Sequence, residues 1–196
     1  MKKIIPASAL LVPAEATRVF EGVIFDIYHW QQTLFDGTED TFEMLKRHDT
    51  VVSICIVEDK IIVLDDEQPH EGHKKSFPGG HIDKTDATVL EAAQRETKEE
   101  SGYSFDNWKL VLVRQPYNKV EWFIHFFVAW DIANITEPKN DPGEKTKVNL
   151  VSIKELKEKI RAREGYLGED RDLFTGVDKV QDLLELKEFS GQLVDR

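Results

Sequence analysis

The chain has 196 residues, 40% hydrophobic and 10% aromatic, which is enough apolar surface for one folded domain and too little length for two full ones. Its formal charge of -11 argues against a protein that grips nucleic acid, because the phosphate backbone is held by clustered Lys and Arg. No run approaches the ~18 apolar residues of a membrane-spanning helix, so neither nucleic acid nor membrane is an expected partner. Lys2 and Lys3 precede an uncharged run, Ile4 to Ala14, in the manner of a secretion signal. Pro6 and Pro13 interrupt that run and Glu15 follows it, so a cytoplasmic location is the expectation. Cys55, the single cysteine, lies among Val51, Val52, Ile54 and Ile56 and reads as core.

In chain order, residues 18 to 30 alternate in part, with Val23, Phe25 and Ile27 on one face, and predict a strand closed by a turn at Phe35-Asp36-Gly37. Residues 51 to 56 and 60 to 65 predict a hairpin about Glu58-Asp59, followed by a polar loop over 66 to 76. A helix is predicted from about 87 to 101, with Leu90, Ala93 and Thr97 on its buried face. Thr85 or Asp86 is its expected cap and Gly102 its expected stop. Residues 109 to 114 and 121 to 131 predict strands, the second apolar on both faces and therefore central. A loop over 132 to 146, a short strand over 148 to 153 and amphipathic helices near 153 to 163 and 177 to 188 complete the chain. Strands interspersed with helices predict a mixed sheet covered on both faces. Residues 1–48 form a strand-rich N-terminal extension in this reading, and 49–196 the main domain.

The segment that carries chemistry is GGHIDKTDATVLEAAQRETKEESGY, residues 79 to 103. On a helix Glu96, Glu99 and Glu100 fall three and four apart and converge on one face. Three such carboxylates repel one another unless a cation lies between them, and hard oxygen donors suit Mg²⁺ or Mn²⁺. Arg95 is beside Glu96 in sequence, off that face, and is placed to orient a carboxylate elsewhere. Gly79 and Gly80 allow the backbone to approach an ion or a phosphate. Taken alone, Glu99-Glu100 reads as a solvated face; the ordered set of Gly80, Arg95-Glu96, Glu99-Glu100 and Gly102 reverses that. The scattered histidines His29, His48, His70, His73, His81 and His125 have no ligand-like spacing and receive no metal role, and His81 is expected at the surface.

This ordered set resembles the Nudix box. Arg95 to Tyr103 matches its second half, with Tyr103 in the usual apolar place and Thr97 a weak substitute in the other. The first half departs, because the spaced acid falls on Asp86 with one extra residue before Arg95. Asp86 is then either a shorter acid or a helix cap, and the cap is preferred. The resemblance covers about residues 40 to 155 and implies an α/β/α sandwich with a mixed β-sheet. It implies metal binding by Glu96, Glu99 and Glu100 with the carbonyl of Gly79, and catalytic roles for Arg95 and Glu99. It places the base that activates water on a later loop, at Glu144 with Glu137 as substitute.

The order of elements is similar to the branch of ADP-ribose and nucleoside-diphosphate-sugar pyrophosphatases, with Trp108 after the box and Pro116 matching only loosely. That branch implies a homodimer formed through the N-terminal segment, hydrolysis of a nucleotide substrate, and an aromatic on its base. Trp30 or Phe42 would be that aromatic and Gly80 would lie at the substrate, although aromatics are first of all core material. Nucleoside triphosphates, dinucleoside polyphosphates and coenzyme A are the alternative substrates, and a regulatory nucleotide-binding module is the non-enzymatic alternative.

Overall fold

The computed structural model describes residues 1–69, 72–140 and 142–195. The strands in chain order are β1 (Lys2–Ile5), β2 (Thr17–Phe20), β3 (Asp26–Thr33), β4 (Glu39–Lys46), β5 (Thr50–Val57), β6 (Lys60–Gln68), β7 (Gly72–Ser76) and β8 (Gly79–His81). Helix α1 (Val89–Ser101) separates these from β9 (Tyr103–Arg114), β10 (Val120–Glu121), β11 (Ile124–Ile135) and β12 (Lys145–Val151). Helix α2 (Ile153–Arg161), a 3₁₀ stretch (Gly165–Phe174), α3 (Val180–Glu185) and β13 (Gln192–Asp195) end the chain.

The main sheet runs β12-β6-β5-β11-β9, with β7 added to β6 and β8 to β5, and it is mixed because β11 pairs with β5 in parallel. Period-two alternation on β5 and β6 divides the core into two layers. Ile54, Ile56, Ile61 and Val63 pack on Leu156, Ile160, Leu167, Phe174 and Leu183 from the C-terminal helical segments. Val51 meets Val89, Ala92 and Ala93 of α1 on the opposite face, and Cys55, Ile62 and Leu64 extend that layer. The expected sandwich is therefore present, and Cys55 is core, its thiol pushed up by burial.

Local chemistry sets the ends of α1. Thr88, not Thr85 or Asp86, is the N-cap: its side chain accepts from the Glu91 N–H, while the Glu91 carboxylate accepts from Ala87 N–H at 2.9 Å. Gly102 ends the helix at φ 77, a left-handed conformation in which its N–H donates to Lys98 O.

Several sequence expectations are corrected. The run 18 to 30 is two strands, β2 and β3, parted at residues 21–25. The polar loop over 66 to 76 is largely the end of β6 plus β7; Asp65 pairs with Lys75 across it, which polar composition alone concealed. Strand β4 and the 3₁₀ stretch were not anticipated. Segment 1–48 divides its strands between two places. β2, β3 and β4 form a separate sheet with β10, whereas β1 pairs antiparallel with β13 and inserts Ile5 against Val113 and Phe123.

Below β1, Lys3 forms a buried ion pair with Asp49, and the wholly enclosed ring of His125 lies nearby. The Ile4 and Thr50 backbones lie against the His125 ring. Burial pulls its pKa from 6.5 down to about 4. The unfolded chain takes up this proton first, so stability carried by neutral His125 is present above about 6.5 and lost as pH falls toward 4. In urea unfolding, wild type should lose more stability between pH 7 and pH 4.5 than His125→Leu; parallel losses would contradict this.

Candidate active site

The turn Phe77-Pro78-Gly79-Gly80 brings the chain onto β5 immediately before α1. Gly79 is required by that pairing, since a Cβ there would collide with the backbone carbonyl of Val51. At Gly80 a Cβ would meet the Glu96 carboxylate at 2.6 Å. The two glycines thus admit the acids of α1 to the sheet edge.

Arg95 organises one side of this meeting. Its Nε and Nη2 donate to the two Asp86 oxygens at 3.0 and 2.9 Å, a bidentate pair, and Nη2 also donates to the His81 carbonyl at 3.0 Å. Nη1 donates to Glu96 at 2.9 Å and Glu99 at 3.1 Å. Asp86 is thereby held below the usual carboxylate range, first by Arg95 and then by the Asp83 N–H. The preferred reading of Asp86 as helix cap is overturned: it is the anchor of Arg95. Arg95 also reaches farther than expected, around the helix to two box acids as well as to Asp86.

The expected convergence of three glutamates is a division into two directions. Glu99 is half exposed at 46% and faces Arg95. Glu100 is buried and turns to the sheet, accepting from Gly79 N–H at 2.7 Å. Glu96 stands between them. Burial raises Glu96 to about 7 against the opposing pull of Arg95, with Glu99 and Glu144 adding repulsion. Burial also raises Glu100, opposed by the Gly79 N–H and reinforced by Glu96, Glu144 and Asp66.

The loop before β12 supplies the remaining acid. Lys139 N–H donates to Glu99 O at 2.7 Å and the Thr146 hydroxyl to Glu100 O at 2.7 Å, tying the loop and the strand to the end of α1. Glu144 is half-buried beside Glu96 and Glu100, whereas Glu137 is exposed, so the structure places Glu144 rather than its substitute at the cluster. Asp66 and Gln68 join it from β6, with Gln68 Nε2 donating to Asp66 and to Glu144, each at 3.3 Å. Both fall in the stretch whose composition reads as a loop; the alternation Leu64-Asp66-Gln68 is the signal that marks them as strand.

Trp30 and Phe42 stand elsewhere, facing each other across β3 and β4 with ring centroids 6.0 Å apart. Neither is buried, so neither is core, and among the described residues no hydrogen bond or ring contact links them to α1. Trp108 is core material, edge-on to Phe105 and Phe127. His81 is exposed and accepts from Arg47 at 2.6 Å, and His70 lies outside the described residues.

The donor set fits a hard divalent cation. Glu96 and Glu100 are oxygen donors whose charge is disfavoured by burial and by neighbouring acids, Glu144 among them, and the guanidinium that opposes this at Glu96 also serves Asp86 and Glu99. Among the described residues no group of three or more acidic, His or Cys side chains is already gathered closely enough to hold a metal ion. Glu96 and Glu99 are engaged by Arg95, and Glu100 by Gly79.

A model of the NUDIX domain matches residues 46–170, well over half of the 196 residues, so the chain belongs to the NUDIX family, a class of pyrophosphohydrolase. The fold is similar to a crystal structure described as an ADP compounds hydrolase, with TM-score 0.64 and 20% identity, covering 84% of this chain and 94% of that one. No curated protein matches the sequence. No helix among the described residues is long and apolar enough to cross a membrane.

Asp86→Ala removes the bidentate partner of Arg95 and should cost about 1–3 kcal/mol of stability. Urea unfolding measures this, and an unchanged midpoint would remove Asp86 from the anchoring role.

Proposed function

We propose that the protein hydrolyses the diphosphate linkage of a nucleoside diphosphate derivative, ADP-ribose or a nucleotide sugar, to two monophosphates. The observation that carries this is the seating of Glu96 and Glu100 against the glycine turn Gly79-Gly80, with Glu144 adding its repulsion to both. Two desolvated carboxylates under repulsion from a third are costly to a mere binding module and useful to a metal-dependent hydrolase. The similar solved structure is described as an ADP compounds hydrolase, which favours this substrate class over triphosphates, dinucleoside polyphosphates or coenzyme A.

Glu96 and Glu100 would hold Mg²⁺ or Mn²⁺, with Glu99 on the solvent side and the Gly79 carbonyl as a backbone donor. When bound, the ion supplies neutralisation of charge on the diphosphate oxygens and polarisation of the attacking water. Arg95 holds Glu96 and Glu99 in place from its anchor on Asp86. Glu144 accepts the proton of the attacking water, and Gly80 leaves room at the substrate's diphosphate.

A homodimer belongs to the same reading. The sheet of β2, β3, β4 and β10 and the connections between its strands expose Val19, Phe20, Val23, Ile24, Phe35 and Phe42, an apolar surface that a second copy would cover. Trp30 and Phe42 would meet the nucleobase only in such an assembly.

With Mg²⁺ and a substrate panel read by released monophosphates, ADP-ribose and sugar nucleotides should turn over fastest. Hydrolysis of triphosphates alone would overturn the substrate class. Glu100→Gln and Glu99→Gln should each lower kcat about 100-fold or more with folding intact; unchanged turnover in both would sink the metal-site assignment. The pH dependence is also fixed in sign. Glu96 is raised from 4.5 to about 7, so its ionisation destabilises the fold progressively from about 4.5 to 7. A bound cation relieves that cost, and Mg²⁺ should therefore raise Tm more at pH 8 than at pH 5; equal shifts would contradict it.

A further inference from the structure

We infer that Gln68 is a positioning residue for Glu144, its side-chain amide tying that carboxylate to buried Asp66 at the edge of the acidic cluster. The inference rests on the reading of Glu144 as the base.

Strand register leads to it. β12 and β6 pair antiparallel with Val148 opposite Leu64, Thr146 opposite Asp66 and Lys145 opposite Glu67. Continuing by one pair sets Glu144 opposite Gln68. Directly opposed residues in an antiparallel pair point to the same face, and every second residue returns to it. Leu64, Asp66 and Gln68 therefore share one face with Val148, Thr146 and Glu144. Burial follows the alternation: Glu144, Thr146 and Val148 are half-buried, while Lys145 and Lys147 between them are exposed. Leu64 and Val148 pack with Cys55 and Phe105. Thr146 is fixed to α1 by its bond to the Glu100 carbonyl. That face therefore looks onto the end of α1 that carries Glu100.

Glu144 itself lies one residue beyond β12, past the paired stretch Lys145–Val151. A base on a loop end needs a second constraint, since an error of about 1 Å in its placement is enough to cost much of its effect. Gln68 provides one that a carboxylate or a hydrocarbon at this place would not. Its Nε2 carries two N–H groups, and these point to Asp66 and Glu144 at 3.3 Å each. The amide thus stands between two anions that would otherwise repel, and it adds no charge to compete with a cation at Glu96 and Glu100. Asp66, 7% exposed, is the more deeply buried end of the tether and Glu144 the half-buried one.

The test is a double-mutant cycle of Gln68→Leu and Glu144→Ala in the full chain, with Glu67→Gln, on the opposite face of β6, as control. It has two readouts: urea midpoints without added metal, and kcat and KM for ADP-ribose with Mg²⁺. Gln68→Leu should lower kcat about 10–100-fold, the usual scale for partners that orient site ligands, with KM within about twofold. It should lower kcat no further in the Glu144→Ala background. The two midpoint shifts should be non-additive, and Glu67→Gln should keep the wild-type kcat. Additive midpoints, or a Gln68→Leu loss that persists without Glu144, would overturn the tether. If Glu144→Ala loses turnover while Gln68→Leu keeps it, the inference falls and the base stands. If Glu144→Ala keeps full turnover, the base reading falls and takes the inference with it.

Discussion

Asp66 and Glu144 add their repulsion to Glu96 and Glu100 beside the glycine turn, where burial already disfavours the charge of the two helix acids. Repulsion of this kind has to be balanced locally, and the surrounding structure supplies the balance with short-range donors. Arg95 serves Glu96, the Gly79 N–H serves Glu100, and Gln68 serves Asp66 and Glu144. Each donor comes from a different element, so the sheet edge, the glycine turn and α1 must all be in register before the cluster is tolerable. The glycines follow from the same constraint, because any side chain at position 80 would occupy the place of the Glu96 carboxylate.

Arg95 shows how the balance is distributed. One guanidinium serves Asp86 on two atoms and Glu96 and Glu99 on a third. Its firmest hold is on Asp86, outside the cluster, which leaves the helix acids as the exchangeable partners. A cation arriving at Glu96 would compete for a single hydrogen bond and leave the bidentate anchor intact. The arrangement stabilises the resting protein without closing the site.

Much of this was legible in the residues. The Arg95 to Gly102 run fixed the helix, its stop and its acids, because helical spacing and a left-handed glycine are local properties. The alternating layers of the core followed from strand periodicity in β5 and β6. What escaped was non-local. The pairing of β1 with β13 joins opposite ends of the chain, and no short-range pattern announces it. Asp66 and Gln68 looked like loop residues because strand end and polar turn have the same composition. Asp86 was taken for a cap because an acid before a helix usually is one; Thr88, with its hydroxyl on the Glu91 N–H, had the better geometry and left Asp86 for Arg95. Trp30 and Phe42 are candidates by residue type, and type alone cannot tell a substrate aromatic from one on an open sheet.

Anomalous diffraction from crystals soaked in Mn²⁺ tests the central claim most directly. The account predicts manganese held by Glu96 and Glu100 near the Gly79 carbonyl and Glu144, with Arg95 still bidentate on Asp86. Manganese absent from these carboxylates, with Arg95 still bridging Glu96 and Glu99, would contradict it.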